Sequence, residues 1–66
     1  MNAEAIRKKI KDSGLTMAEF AHSIGVDRSS AFRKLNGSTE FTVGEAQKAK
    51  EALKLTESEA ASFFLA

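Results

Sequence analysis

Apolar residues recur at helical spacing in separate stretches of the chain, and the predicted elements follow from them. Ile6 and Ile10 lie at i and i+4 on a first helix, which Asn2 can cap and which runs to about Asp12, with Ser13-Gly14 closing it. Phe20, Ala21 and Ile24 form one stripe on a second helix, Met17 to Ile24. Ala31 and Leu35 share a side of a third, Arg28 to Leu35. A fourth is predicted from about Val43 to Leu53, with Val43, Ala46, Ala49 and Leu53 facing the core, and a fifth from about Glu57 to Leu65. Phe41 is expected to turn inward and anchor the polar loop Ser38-Thr39-Glu40. No stretch alternates with period two over a useful length, so no strands are predicted.

The polar residues punctuate the same pattern. Thr16 and Glu19, Thr42 and Glu45, and Thr56 and Glu59 each form a T-x-x-E capping box, in which hydroxyl and carboxylate exchange hydrogen bonds with each other's backbone N–H. Leu15 precedes the first box as a staple residue. Gly25 ends the second helix because glycine takes a left-handed backbone without Cβ strain. Val26 plugs the corner, Asp27 caps the third helix, and Asn36-Gly37 terminates it. Helix, short glycine turn, helix is the helix-turn-helix plan, and here it spans Thr16 to Gly37.

Phe20-Ala21, Ile24-Gly25-Val26, Asp27-Arg28-Ser29-Ser30-Ala31 and Leu35-Asn36-Gly37 resemble the phage Cro and repressor type of helix-turn-helix protein, including the bacterial regulators of the XRE group. The resemblance implies an all-α, compact five-helix, lambda-repressor-like DNA-binding domain, with residues 1–66 forming one such domain and helices 2 and 3 its helix-turn-helix. In many members of that family a basic residue of helix 1 pairs with an acidic one near the end of helix 3. Ile10 and Leu35 are the occupants here, so apolar packing is expected at that contact.

Composition narrows the function. With 66 residues and no cysteine, the chain is one small domain without disulfides or thiolate metal sites. The basic segment near the start is followed by no apolar run of signal-peptide length, and no stretch approaches a membrane span, so the expected compartment is the cytoplasm, at the nucleoid of a bacterial host. His22 is the single histidine and has no second ligand or nucleophile placed to work with it. No enzyme activity, metal or cofactor is therefore expected. The net charge of +1 argues against strong non-specific attraction to nucleic acid, although Arg28, Arg33 and Lys34 concentrate positive charge in helix 3.

In a helix-turn-helix the second helix enters the major groove, where each base pair shows a distinct donor and acceptor pattern. That assigns base reading to Arg28, Ser29, Phe32 and Arg33. Either arginine can pair with guanine, and Phe32 can pack on a thymine methyl. Phe32 also lies only about 80° from the buried stripe, which leaves core-edge packing or a protein contact open to it. Phosphate contacts are expected from the backbone N–H groups of Met17 and Ala18 at the start of helix 2. The family resemblance implies further ones from Lys34, Asn36, Ser38 and Thr39; it also places glutamine where this chain has Met17, which cannot make that side-chain hydrogen bond. Phe63, Phe64 and Leu65 are candidates for core closure or for a homodimer contact, since operators of such proteins are two-fold. The expected function is a Cro-like repressor occupying a double-stranded DNA operator. The alternative is an antirepressor that uses the same fold to cover another repressor protein.

Overall fold

The structure, a computed structural model, describes residues 1–65. It contains helices α1 (Ala3–Asp12), α2 (Met17–Ile24), α3 (Arg28–Leu35), α4 (Val43–Ala52) and α5 (Glu57–Phe64), and no strand among the described residues. The start signals act as read from the sequence. Thr16, Thr42 and Thr56 each accept from the backbone N–H three residues on, while Glu19, Glu45 and Glu59 each accept from the cap N–H. Asn2 accepts from Ala5 N–H and Asp27 from Ser30 N–H, so all five helices begin on a side-chain cap.

Gly25 closes α2 in the left-handed region, at φ +81°, and its N–H reaches back to the α2 carbonyls. That one residue turns the chain sharply enough to place the cap of α3, Asp27, two positions later. The end of α4 uses the same conformation without glycine: Lys54 stands at φ +55°, letting Leu55 N–H reach Lys50 O at 2.9 Å and burying the Leu55 side chain. Leu55 lies outside the periodic stripes that predict the helices, so nothing in the hydrophobic pattern marks it as core.

The core comprises Ile6, Ile10, Phe20, Ala21, Ile24, Ala31, Leu35, Ala49, Leu53 and Leu55. Helix α2 packs against both α3 and α4, and α5 against α1 and α4. Ala21, Ala31 and Ala49 are small residues fully enclosed where these helices approach one another. Asn2 N–H donates to Phe63 O at 2.8 Å, joining the start of α1 to the end of α5. Phe63 and Phe64 both pack against the core, and Phe41 turns inward as expected, its ring edge-on to Phe64 at 5.3 Å.

Two expectations are corrected. Val43 does not face the core; it is 88% exposed. At about 100° per residue it lies roughly 80° from Leu53 and further still from Ala49, outside the stripe that those residues share with Ala46. Helices α4 and α5 also each end one residue earlier than predicted, leaving Leu53 and Leu65 as their caps. Leu65 is 84% exposed.

Candidate nucleic-acid interface

The outer face of α3 is defined by what its inner face must do. Ala31, Lys34 and Leu35 are buried against the rest of the molecule, which turns Ser29, Phe32 and Arg33 outward, while Arg28 is exposed at the first position of the helix. All four sequence-assigned base readers are exposed. Phe32 is not part of the core and is 41% exposed, so the core-edge alternative for its ring does not hold.

These side chains are partly tied to one another. Asp27 Oδ1 accepts from Ser30 N–H at 2.7 Å, and Ser30 Oγ accepts from an Arg33 guanidinium N–H at 3.0 Å. Hydrogen bonding from the Ser30 side chain, then from its backbone, holds the Asp27 carboxyl below its usual range, with a smaller contribution from the Arg33 charge. Arg28 is arranged differently. Its guanidinium carbon lies 5.7 Å from the centre of the Phe32 ring, and its N–H groups make no hydrogen bond among the described residues. The Ser29 hydroxyl makes none among them either.

At the start of α2 the Thr16–Glu19 box satisfies the Thr16 and Glu19 N–H groups and leaves those of Met17 and Ala18 without an acceptor among the described residues. Two donors at a helix N-terminus suit an anion. The Glu19 carboxylate at the same end opposes it; the backbone hydrogen bond from Thr16 holds that carboxyl below its ordinary value. The Met17 side chain packs on the core instead of extending outward.

Asn36, Ser38 and Thr39 are exposed at the end of α3 and in the next loop, as expected for groups beside a duplex backbone. Lys34 is not. Its side chain is 11% exposed and its ammonium binds Glu45 Oε1 at 2.8 Å and Glu40 O at 3.2 Å, over the Phe41 ring at 5.9 Å. The assignment of Lys34 to phosphate is thereby corrected: its charge joins α3, the loop and α4 from inside. Helical arithmetic sets position 34 about 60° from Ala31 and about 100° from Leu35, at the edge of the buried stripe, so direction alone left it open. Glu45 is held below the usual carboxylate range, mainly by the hydrogen bond from Lys34 and then by the one from Thr42 N–H.

Arg7 was not identified from the sequence. Its guanidinium donates to Leu35 O at 3.3 Å and to Asn36 Oδ1 at 2.8 Å, a cation set against the last carbonyls of α3 where the helix dipole is negative. Ile10 and Leu35 are both buried in the core, and the link between α1 and the end of α3 that the structure shows is the polar one made by Arg7. Its position three residues before Ile10, on the same side of α1, was the available signal.

Beyond the loop the surface becomes apolar. Val43, Leu65 and Met1 are exposed around Phe41 and Phe64, bordering a groove of about 440 Å³ that also reaches Thr39. Of the three residues considered for a dimer contact, Phe63 and Phe64 are half-buried, and Leu65 is the one left open. No group of histidine, cysteine or carboxylate side chains among the described residues is arranged to hold a metal, and no helix among them is long and apolar enough to cross a membrane.

A family model described as helix-turn-helix matches residues 6–59, from the middle of α1 into α5. Searches of curated proteins and of solved structures give no significant match.

Proposed function

The chain belongs to the helix-turn-helix family in its XRE-type, Cro-like form, whose members are DNA-binding transcription regulators, and on that premise we propose that it is a Cro-like repressor of phage type. In this reading residues 1–66 act as one domain that occupies a two-fold operator and excludes polymerase. Helix α3 lies in the major groove with Arg28, Ser29, Phe32 and Arg33 at base edges. The N–H groups of Met17 and Ala18, the Asn36 amide and the Ser38 and Thr39 hydroxyls face phosphates, fixing register without reading sequence. The observation that carries the reading is the outer face of α3, where two arginines, a serine and an aromatic ring stand exposed together.

Two copies on a two-fold site would meet through the groove beside Val43 and Leu65. It adjoins the loop that follows α3, so pairing there sets two reading helices next to each other. Such a regulator acts where the chromosome is, in the bacterial cytoplasm.

Selection from a random duplex pool, followed by anisotropy titration of the winner at 50 and 200 mM salt, tests this. A recovered two-fold motif, steep weakening with salt, and loss of base preference in Arg28→Ala or Arg33→Ala are expected. No enrichment, with weak binding indifferent to both arginines, would refute it. The second reading, an antirepressor that masks another repressor, is favoured by the exposed Val43 and Leu65 and by the net charge of +1. An apolar protein contact would respond little to salt, which separates the two.

A further inference from the structure

Phe32 is an aromatic residue of α3 that the fold does not use. Its ring is outside the core, with the Arg28 guanidinium carbon 5.7 Å from its centre. Helical side chains lean toward the N-terminus of their helix, so a ring attached one turn into α3 lies over the turn that carries Arg28. A guanidinium resting on a ring presents its face to the aromatic surface and keeps its N–H edges for other acceptors. Arg28 has those edges unbonded among the described residues, whereas Arg33 already donates to Ser30. The two side chains therefore stand next to each other on the surface, a fork of donors beside an apolar ring.

That pair has a counterpart in the major groove. Guanine offers O6 and N7 to a guanidinium fork. The C5 position of the pyrimidine preceding it on the same strand carries a methyl group in thymine and in 5-methylcytosine, and only hydrogen in cytosine and uracil. We propose that Arg28 and Phe32 read together a 5-methylpyrimidine–guanine step, TpG or 5-methyl-CpG, with Arg28 on the guanine and Phe32 against the methyl. This rests on the operator-binding reading and adds to it a consequence: cytosine methylation at that step strengthens binding. Thymine and 5-methylcytosine differ at position 4, which this pair does not touch, so the ring treats them alike. Covering one methyl group is worth roughly a fourfold change in affinity per half-site.

The test compares duplexes that differ by a methyl group alone. In the selected operator, the pyrimidine 5′ of the guanine whose preference relaxes in Arg28→Ala is made thymine or deoxyuridine opposite adenine, and cytosine or 5-methylcytosine opposite guanine. Anisotropy titration of the wild type is expected to favour the methylated member of each pair by about fourfold per half-site. Phe32→Ala, with its helical circular dichroism retained, is expected to bring both ratios close to one. Methyl-independent binding by the wild type, a methyl preference that persists in Phe32→Ala, or an operator without a pyrimidine–guanine step would each overturn the proposal while leaving operator binding intact. A pool that yields no motif removes the operator reading and this inference with it.

Discussion

Replacing Lys34 by methionine separates a structural lysine from a phosphate-binding one. Methionine keeps most of the stem and its apolar contacts but removes the ammonium that binds Glu45 at 2.8 Å and Glu40 O at 3.2 Å. Exposed ion pairs contribute about 0–1 kcal/mol, while breaking a fully buried pair costs about 3–5 kcal/mol. With side chains 11% and 17% exposed, this pair lies between those limits. Glu45 also keeps its hydrogen bond from Thr42 N–H, which lessens the penalty for the charge left behind. We expect Lys34→Met to cost about 2 kcal/mol and, in a domain of this size, to lower Tm by roughly 10 °C. Glu45→Gln preserves the capping box, because glutamine can also fill that position. The cycle of Lys34→Met, Glu45→Gln and the double variant, followed by circular dichroism melts, should then return a coupling of about 1–2 kcal/mol. A lysine on phosphate would instead contribute about one unit to the slope of log affinity against log salt. The expected slope for Lys34→Met is that of the wild type. A Tm within two degrees or so of wild type, together with a slope reduced by about one unit, would show that the inward ion pair has been given the wrong role.

Acid should act on the same contact. Glu45, Glu19, Glu59, Asp27 and Asp12 all have lowered carboxyl pKa values in the folded chain, the first mainly through Lys34 and the next two mainly through their capping threonines. A depressed folded pKa gives stability that is fully present above the ordinary value of 4.5 for glutamate and is lost as pH falls through the folded value. Tm is therefore expected to hold near neutrality and fall below about pH 4.5, less steeply in Lys34→Met; an identical acid profile in that variant would contradict the assignment of Lys34 as the main cause for Glu45. At the glycine turn, Gly25→Ala places a Cβ 3.5 Å from Lys48 Nζ, an ordinary contact, so the cost of about 1–2 kcal/mol comes from the left-handed backbone alone and should appear in a urea titration. The converse change, Lys54→Gly, removes a side chain from φ +55° and is expected to stabilise by about 0.5–1 kcal/mol after the added freedom of the unfolded chain is counted. Finally, Val43→Asp with Leu65→Asp alters two exposed positions of the proposed pairing face; monomer Tm should change little, while the self-association that the proposal expects in sedimentation of the parent chain is lost. A parent chain that does not associate, or association unaltered in the variant, would refute pairing through this face.

Much of this molecule is determined by short-range chemistry, and that part could be read from the sequence. A capping box, an asparagine or aspartate cap and a left-handed glycine each act within four residues, so Thr16, Asp27, Gly25 and Thr42 set the starts and turns of α2, α3 and α4 wherever the helices later pack. The stripe Phe20, Ala21, Ile24 and the pair Ala31, Leu35 likewise fixed which sides of α2 and α3 are buried, and with them the outward face carrying Arg28, Ser29 and Arg33. What only the tertiary structure decided depends on residues distant in the chain meeting. Lys34 became an internal cation because Glu45 and the Glu40 carbonyl surround it. Arg7 acquired its role because the last turn of α3 ends beside α1. Phe41 and Phe64 found each other across the end of the fold, leaving Val43 and Leu65 in the open. Phe32 could be taken for core or surface until the packing of α3 placed its ring beside Arg28. Periodicity assigns a side chain to a direction, but which charge or ring stands there to receive it is set by how the helices are assembled.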